Sequence, residues 1–529
     1  MAAAIRQYPR GMALRRWRIA AGVVSAILAL GVAELVAALV RPGSAPPYVL
    51  GAVVVDHSPR AVREWAIETF GTADKTVLFA CMGVVALAVA GLAGALERVA
   101  RPVGTAIFAV FGAAATIFAV SRHGALGAVA TVAGVAAGIW ALRGFARYID
   151  AAARVAGTAD GAPAPGGDEA APGGAARREL LRGVAIVGGV AVAAGVAGRW
   201  IGGWRAGVGP ERAGIRLPQV AGPPVALAPG VELEQPGLSS FVTPNAEFYR
   251  IDTALVVPQV SVADWSLRIH GMVEREITIG WAELARRPAI ERLITLACVS
   301  NPVGGDLIGN ALWRGYRLDE LLAEAGPLPQ ADMVLSRSRD GWTAGSPLAV
   351  LTDGRDALLA VGMNGAPLPI EHGYPARLVV PGLYGYVSAT KWVTELEVTR
   401  FDLATAYWTR RGWSERGPVK TGIRIDTPGR RTKLSAGTVP VAGVAWAQHR
   451  GIRAVEVQVD DGPWQRARLA TEQSIDTWRQ WVYEWDATPG QHILRARATD
   501  GDGQTQTGEV APAVPDGATG YPSVLVRVG

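Results

Sequence analysis

The chain has two cysteines, and only one of them stands where it could do chemistry in water. Cys81 lies in the apolar run VLFACMGVVALAVAGLAGAL, whereas Cys298 sits in LITLACVSNPVGG, Leu293 to Gly305, after a β-like apolar run and before a Gly/Pro turn. A cysteine in an apolar strand commonly serves as a small buried hydrophobe. The end of a strand opens a second role, because thiolate is a soft ligand for transition metals and the glycines that follow let backbone approach a ligand closely. No second cysteine and no histidine cluster completes a zinc site with it. A papain-like nucleophile is poorly supported, though histidines distant in sequence leave that alternative open. A metal held by one thiolate needs a cofactor to supply its remaining ligands.

The elements that must position Cys298 are short. From Leu238 the chain reads as β-rich runs divided by turns, WSLRIHG, ITIG, RLITLACV, MVLSRS, ARLVVPG and WVTELEVTRF, with helical pieces WAELARR and RLDELLAEAG between them. That pattern predicts an α+β domain over 238–427. After Pro428 the chain is almost purely strand and turn, with the alternation AVEVQVD and turns at Asp461-Gly462, Pro489-Gly490 and Asp500-Gly501. Residues 428–529 therefore predict an all-β sandwich of immunoglobulin-like type.

The first part of the chain belongs to another solvent. Half of the 529 residues are apolar, and five runs approach bilayer length: 19–40, 77–96, 103–120, 125–142 and the weaker, glycine-rich 183–201. They predict a membrane region over 1–201 with about five transmembrane helices, then a Pro/Gly-rich linker over 202–237. Basic residues mark the cytoplasmic sides: Arg6, Arg10, Arg15, Arg16 and Arg18 before the first run, Arg98 and Arg101 between the second and third, and Arg143, Arg147, Arg154, Arg177, Arg178 and Arg182 before the fifth. The segment from Arg41 to Lys75 balances Arg41, Arg60, Arg63 and Lys75 against Asp56, Glu64, Glu68 and Asp74, as an external loop does. Five spans from a cytoplasmic N-terminus place everything after Ile201 outside the cytoplasmic membrane. Ile149 to Arg178 reads as a flexible Ala/Gly/Pro segment, and ARRELLRG ahead of the fifth run resembles a twin-arginine export signal, here internal. That route carries folded domains and suits one that receives a cofactor before export. Nothing in the sequence points to nucleic acid.

Three ordered stretches resemble the molybdopterin-binding domain of the sulfite oxidase family: TPNAEFYRI (Thr243 to Ile251), TLACVSN around Cys298, and MNGAPLPIEHGYPARLVVPGLYGYVSATKWV (Met363 to Val393). The tail, with VEVQVDDGPWQRA and YEWDATPGQHILRARATDGDG, resembles that family's dimerisation domain. The resemblance implies Cys298 as the thiolate on molybdenum. It implies Asn245, Phe248 and Tyr249 beside the pterin, His372 and Arg377 on its phosphate side, and Ser388, Thr390 and Lys391 in the last binding loop. Arg and Lys forks and hydroxyl donors are what a pterin phosphate requires.

The sequence departs from the family pattern in three places. NPVGG has no arginine where animal and plant members carry two, YVSATKW lacks the arginine those enzymes place before the lysine, and YWTRRGWSERGP puts Trp413 where a substrate-side tyrosine is expected. Arg250, Arg314, Arg410 and Arg411, with Arg416, are the candidates to supply positive charge instead. The resemblance implies an oxidoreductase that moves an oxygen atom to or from a small anionic or polar substrate and passes electrons to a separate cytochrome or quinone-linked partner, with a homodimer through the tail. No C-x-x-C-H haem attachment occurs and all six histidines lie outside the apolar cores of the spans, so no haem is expected. Sulfoxide, N-oxide or methionine-sulfoxide reduction with the same cofactor is the neighbouring enzymatic reading, and an exported binding module without metal is the non-enzymatic one. Glu34 in the first run fits a helix contact or a proton path.

Overall fold

Apolar residues spaced along uninterrupted Ala, Gly, Val and Leu runs fold as helix because each main-chain group then finds its partner within the segment. The computed structural model describes residues 8–158 and 173–529, apart from positions 60, 61, 63, 64, 67, 68, 71 and 72, and divides into units 1–207 and 208–529. Five helices of the first unit are long and apolar enough to cross a membrane: Leu14–Val40, Asp74–Leu96, Val103–Arg122, Ala125–Arg154 and Arg178–Gly203. Each contains one of the expected spans. Glycines let them approach: a Cβ on Gly22 would fall 2.1 Å from the Ala90 carbonyl, and one on Gly31 2.2 Å from that of Ala191. Glu97, buried, is met by Arg143 at 3.2 Å and by the Thr105 hydroxyl at 2.9 Å, so its charge is matched where water is scarce.

Two features of this unit were not legible in the runs. Part of the expected external loop is a helix, Pro46–His57, which starts on a proline, where a missing N–H costs nothing. The Ala/Gly/Pro segment is helical at both ends, to Thr158 and again from Gly173. Its middle, 159–172, lies outside the described residues, as do Arg6, Arg60, Arg63, Glu64 and Glu68.

The second unit holds four sheets. Strands β1 Ser266–Gly271, β2 Ile277–Gly280, β3 Ile290–Ala297, β4 Ile308–Arg317, β5 Met333–Ser338, β6 Thr343–Pro347, β7 Leu358–Met363, β8 Ala366–Pro367, β9 Arg377–Val379 and β10 Val393–Thr399 make two of them. One has the order β2-β1-β10-β5-β6, and the other β3-β4-β7-β8 with β9 on β7. The helical pieces read from WAELARR and RLDELLAEAG are Trp281–Leu284 and Leu318–Ala325. Strand β7 is buried at every position and β3 at nearly every one, which explains why they read as continuous apolar runs instead of alternating ones.

The remaining strands are β11 Gly422–Thr427, β12 Lys433–Leu434, β13 Gly437–Trp446, β14 Ile452–Val459, β15 Gln465–Arg466, β16 Arg468–Leu469, β17 Arg479–Ala487, β18 Gly490–Asp500 and β19 Ser523–Val528. They form sheets β11-β13-β17-β16 and β12-β19-β18-β14-β15, which share a core of Ile423, Val441, Val455, Trp481, Leu494 and Val526. The pair begins at Gly422, ahead of the boundary read at Pro428. It is also bound to the chain before it: Trp478 Nε1 donates to the Phe241 carbonyl at 2.9 Å, and the Thr295 N–H of β3 donates to the Asp476 carbonyl at 3.0 Å.

The expected linker over 202–237 needs correction. Helix Gly173–Ala206 runs through its first residues, and from Val208 the chain is part of the second unit. Its main-chain groups are taken up there, with Ala221 donating to the Ala289 carbonyl at 2.8 Å and Leu233 to Gln480 Oε1 at 2.6 Å. Proline and glycine mark irregular backbone, which is not the same as free backbone.

Candidate functional site

Cys298 follows directly on β3, with its N–H bonded to the Leu307 carbonyl at 2.9 Å and the Asn301 N–H returning to its own carbonyl at 3.1 Å. Gly304, at φ +73°, allows the turn that follows. The thiol is buried, which pushes its pKa up, while Ser300 and the Lys391 ammonium pull against that. It opens on a pocket lined also by Asn301, Val303, Tyr384, Lys420 and Gln506.

A second group of residues gathers around His372. Phe248 stacks on Tyr249, with centroids 5.2 Å apart, and meets His372 edge-on at 5.6 Å and Trp313 at 5.7 Å. Arg377 lies over the Trp313 ring at 5.1 Å. Asn245 is held by Asn364, whose amide donates to Asn245 Oδ1 at 2.8 Å; Asn364 itself sits at φ +49°, in a turn that favours asparagine. Gly373 sits at φ +113°, where a side chain is strained, and a Cβ there would crowd its neighbours, 3.0 Å from that of Arg377 and 3.2 Å from Lys391.

The electrostatics of this group are unbalanced. Arg377 is buried and donates to the carbonyls of His372, Leu378 and Ala389 at 3.2, 3.3 and 3.5 Å, with no carboxylate among the described residues accepting from it. Burial lowers its pKa to about 10, still far above neutrality. Lys391 Nζ reaches Asp252 at 3.0 Å and the Glu371 carbonyl at 3.0 Å. Burial first, then Arg377, brings it down to about 8, with Asp252 opposing. Asp252 is shared, because Arg250 Nε also donates to it at 2.8 Å.

Burial and the neighbouring Arg377 and Lys391 hold His372 down to about 3, so its ring is neutral. A neutral ring facing the Asn245 carbonyl from Nε2 at 3.3 Å must carry its proton there. Nδ1 is then a bare, buried acceptor, and it has no partner among the described residues.

The fold thus brings together Asn245, Phe248, Tyr249, His372, Arg377 and Lys391. Tyr249 also feels the Cys298 thiol and Arg377, which links this group to the end of β3. Ser388 and Thr390 are fully buried, and their hydroxyls are engaged by protein, Ser388 donating to the Tyr384 carbonyl at 2.9 Å and Thr390 hydrogen-bonded to the Ser336 hydroxyl at 2.6 Å. The arginines proposed for the substrate side have local partners. Arg314 is paired with Glu291 at 2.7 Å, Arg410 donates to the Thr405 carbonyl at 2.9 Å, and Arg411 lies 3.5 Å over the Tyr407 ring. Trp413 packs on Tyr386, with centroids 5.7 Å apart.

Sequence reading missed Asp252, although it follows Arg250 by two residues in FYRID. It also missed Asn364, Tyr384, Lys420 and Gln506. Tyr384 lay in a quoted stretch, but Gln506 is more than two hundred positions from Cys298 and carries no local signal.

The description "oxidoreductase molybdopterin binding domain" fits residues 254–408. The chain is 28% identical over 362 residues to the sulfite oxidase of Gallus gallus, covering 58% of this chain and 76% of that one. It is 31% identical over 153 residues to the uncharacterised oxidoreductase YuiH of Bacillus subtilis, covering 29% of this chain and 74% of that one. Against the mitochondrial sulfite oxidase of Rattus norvegicus it spans 58% of the relative's length. Among solved structures, the sulfane dehydrogenase SoxCD of Paracoccus pantotrophus superposes with a TM-score of 0.48 at 22% identity, covering 57% of this chain and 86% of that one. The chain belongs to the sulfite oxidase family of molybdopterin-dependent oxidoreductases.

Proposed function

We propose that this protein is a membrane-anchored molybdenum-cofactor oxidoreductase whose catalytic unit lies outside the cytoplasmic membrane. It transfers an oxygen atom to or from a small substrate and exchanges electrons with a separate cytochrome or quinone-linked partner. The observation that carries the reading is the buried Arg377 guanidinium with no carboxylate among the described residues accepting from it, beside Lys391 and His372 Nδ1, an acceptor without a partner among the same residues. A buried charge of that kind is costly unless an anion meets it. An anionic pterin phosphate is such a partner, and a pterin N–H is a donor for Nδ1, so the residues present fit the group.

Arg377, Lys391 and His372 would hold the phosphate side, Asn245, Phe248 and Tyr249 the pterin, and Cys298 the metal. Ser388 and Thr390 belong to the same loop and shape it through the bonds their hydroxyls make. Once bound, the cofactor supplies two-electron chemistry coupled to oxygen transfer. Basic flanks such as Arg15, Arg16 and Arg98 support the proposed orientation. The C-terminal sheet pair, with its shared core, supports the immunoglobulin-like reading, and the tail's resemblance to the family's dimerisation domain supports a role in pairing two copies.

A second reading of the substrate has its own support. Lys420 is the one cation among the described residues lining the Cys298 pocket, and its Nζ already donates to Asp516 at 2.8 Å. Such a pocket suits a neutral sulfoxide or N-oxide as well as an anion.

The test is molybdenum content of the full chain purified from a host that makes the cofactor, followed by turnover of sulfite, sulfoxides and N-oxides. About one metal per chain and activity on one class are expected. A folded chain without molybdenum in such a host would sink the reading.

A further inference from the structure

The segment that leads out of the last apolar helix grips the loop carrying His372. Helix Gly209–Gly214 belongs to the second unit. From it Arg212 donates to the Leu368 carbonyl and to the Pro367 carbonyl, both at 2.6 Å. Glu211 accepts from the Tyr374 hydroxyl at 2.7 Å, and is itself fixed by the Ser261 hydroxyl at 2.6 Å and the Val262 N–H at 3.0 Å. Val208 is buried in the same cluster as Phe248, Trp313 and Tyr374. The loop is therefore held ahead of His372 and behind it.

Between those two grips the loop's carbonyls serve the site. That of Ile370 accepts from Trp392 Nε1 at 2.8 Å, that of Glu371 from Lys391 at 3.0 Å, and that of His372 from Arg377 at 3.2 Å. Leu368 and Tyr374 are buried, so the carbonyl of one and the hydroxyl of the other need partners inside the protein. Neighbouring residues of opposite charge provide both without adding net charge to an already cationic site.

We propose that Glu211 and Arg212 are positioning residues for the loop 367–377, so that the segment after the membrane helices is part of the cofactor site's frame as well as a connection. The proposal rests on the cofactor reading above. A loop that aims one imidazole lone pair and three carbonyls must be fixed to a fraction of an ångström to bind well.

The test uses the full chain with Arg212→Met, Glu211→Gln and Tyr374→Phe, the last removing one oxygen. Two quantities are read: the rate at which pterin fluorescence appears on dilution of the loaded protein, and amide hydrogen exchange across 366–377. Release roughly tenfold faster than wild type is expected, with faster exchange confined to that loop, and Arg212→Lys should fall between. Wild-type release rates in all three variants would overturn the proposal, as would exchange that rises throughout the unit. Wild-type protein without cofactor would sink the functional reading first, and is told apart by its missing molybdenum.

Discussion

The two ends of the site are built on opposite electrostatic plans. Around His372, the cations Arg250, Arg377 and Lys391 have Asp252 as the carboxylate that two of them share. Around Cys298, the lining is Asn301, Val303, Tyr384 and Gln506 with Lys420, whose charge is answered by Asp516. One end holds buried cations in excess of the carboxylate that two of them share. The other is close to neutral and assembled from distant parts of the chain. On the proposed reading the contrast separates the cofactor from the substrate: residues that would retain the first can stay while those that choose the second change. On that reading NPVGG can lack arginines although HGYPAR keeps its charge.

The largest expected effect falls on the thiol proposed to hold the metal. Cys298→Ser should abolish turnover by several orders of magnitude while leaving pterin bound, since the cationic end is untouched; loss of pterin along with activity would show that the ends are not separable. Next comes the cationic end itself. Arg377→Met should weaken cofactor retention by roughly tenfold or more, yet raise the stability of the cofactor-free unit by about 1 kcal/mol, because an unmatched buried charge is gone. Calorimetry on the cofactor-free protein checks the sign, and a fall in stability would mean that Arg377 is a structural strut.

Lys391 gives the contrast a pH signature. Its pKa is about 8 when folded against an ordinary 10.5, so between those values the unfolded chain holds a proton that the folded unit has lost. Stability of the cofactor-free unit should therefore rise with pH across that window, while capture of an anionic cofactor falls as the ammonium discharges above about pH 8. Denaturant unfolding of wild type and Lys391→Met at several pH values tests this, and a slope that survives the substitution would assign it to another group.

Smaller effects belong to the neutral end. Lys420→Gln should raise KM for an anionic substrate by about two- to fivefold and leave a neutral one nearly unchanged. Smallest of all, Arg410→Ala should alter kcat/KM by less than about twofold, since its charge is spent on its own loop. A larger loss would bring that loop into the site and erase the difference between the ends.

Much of this was legible because it is local. Strands such as RLITLACV and WVTELEVTRF carry their own β pattern, and the quoted stretches place His372, Arg377 and Lys391 within one loop system. What the sequence could not show is where side chains turn. Ser388 and Thr390 face protein partners, and Arg410 and Arg411 serve their own segment, because whether a hydroxyl or guanidinium meets solvent, ligand or a carbonyl depends on neighbours set by the fold. Asp252 and Asn364 act through contacts with residues far along the chain. The Pro/Gly-rich stretch 202–237 was misread for a related reason: irregular backbone can be bonded as fully as a sheet, provided distant groups such as Gln480 come to meet it.

Strand β3 ends its sheet, so the side turned away from β4 would be bare. Thr295 shows how it is closed: its N–H donates to the Asp476 carbonyl, its hydroxyl accepts from the Trp478 N–H at 2.7 Å, and its carbonyl accepts from the Gln448 amide at 3.1 Å. Those partners lie at least 153 positions downstream. During synthesis the strand that ends just before Cys298 must therefore wait for the last fifth of the chain before its edge is sealed.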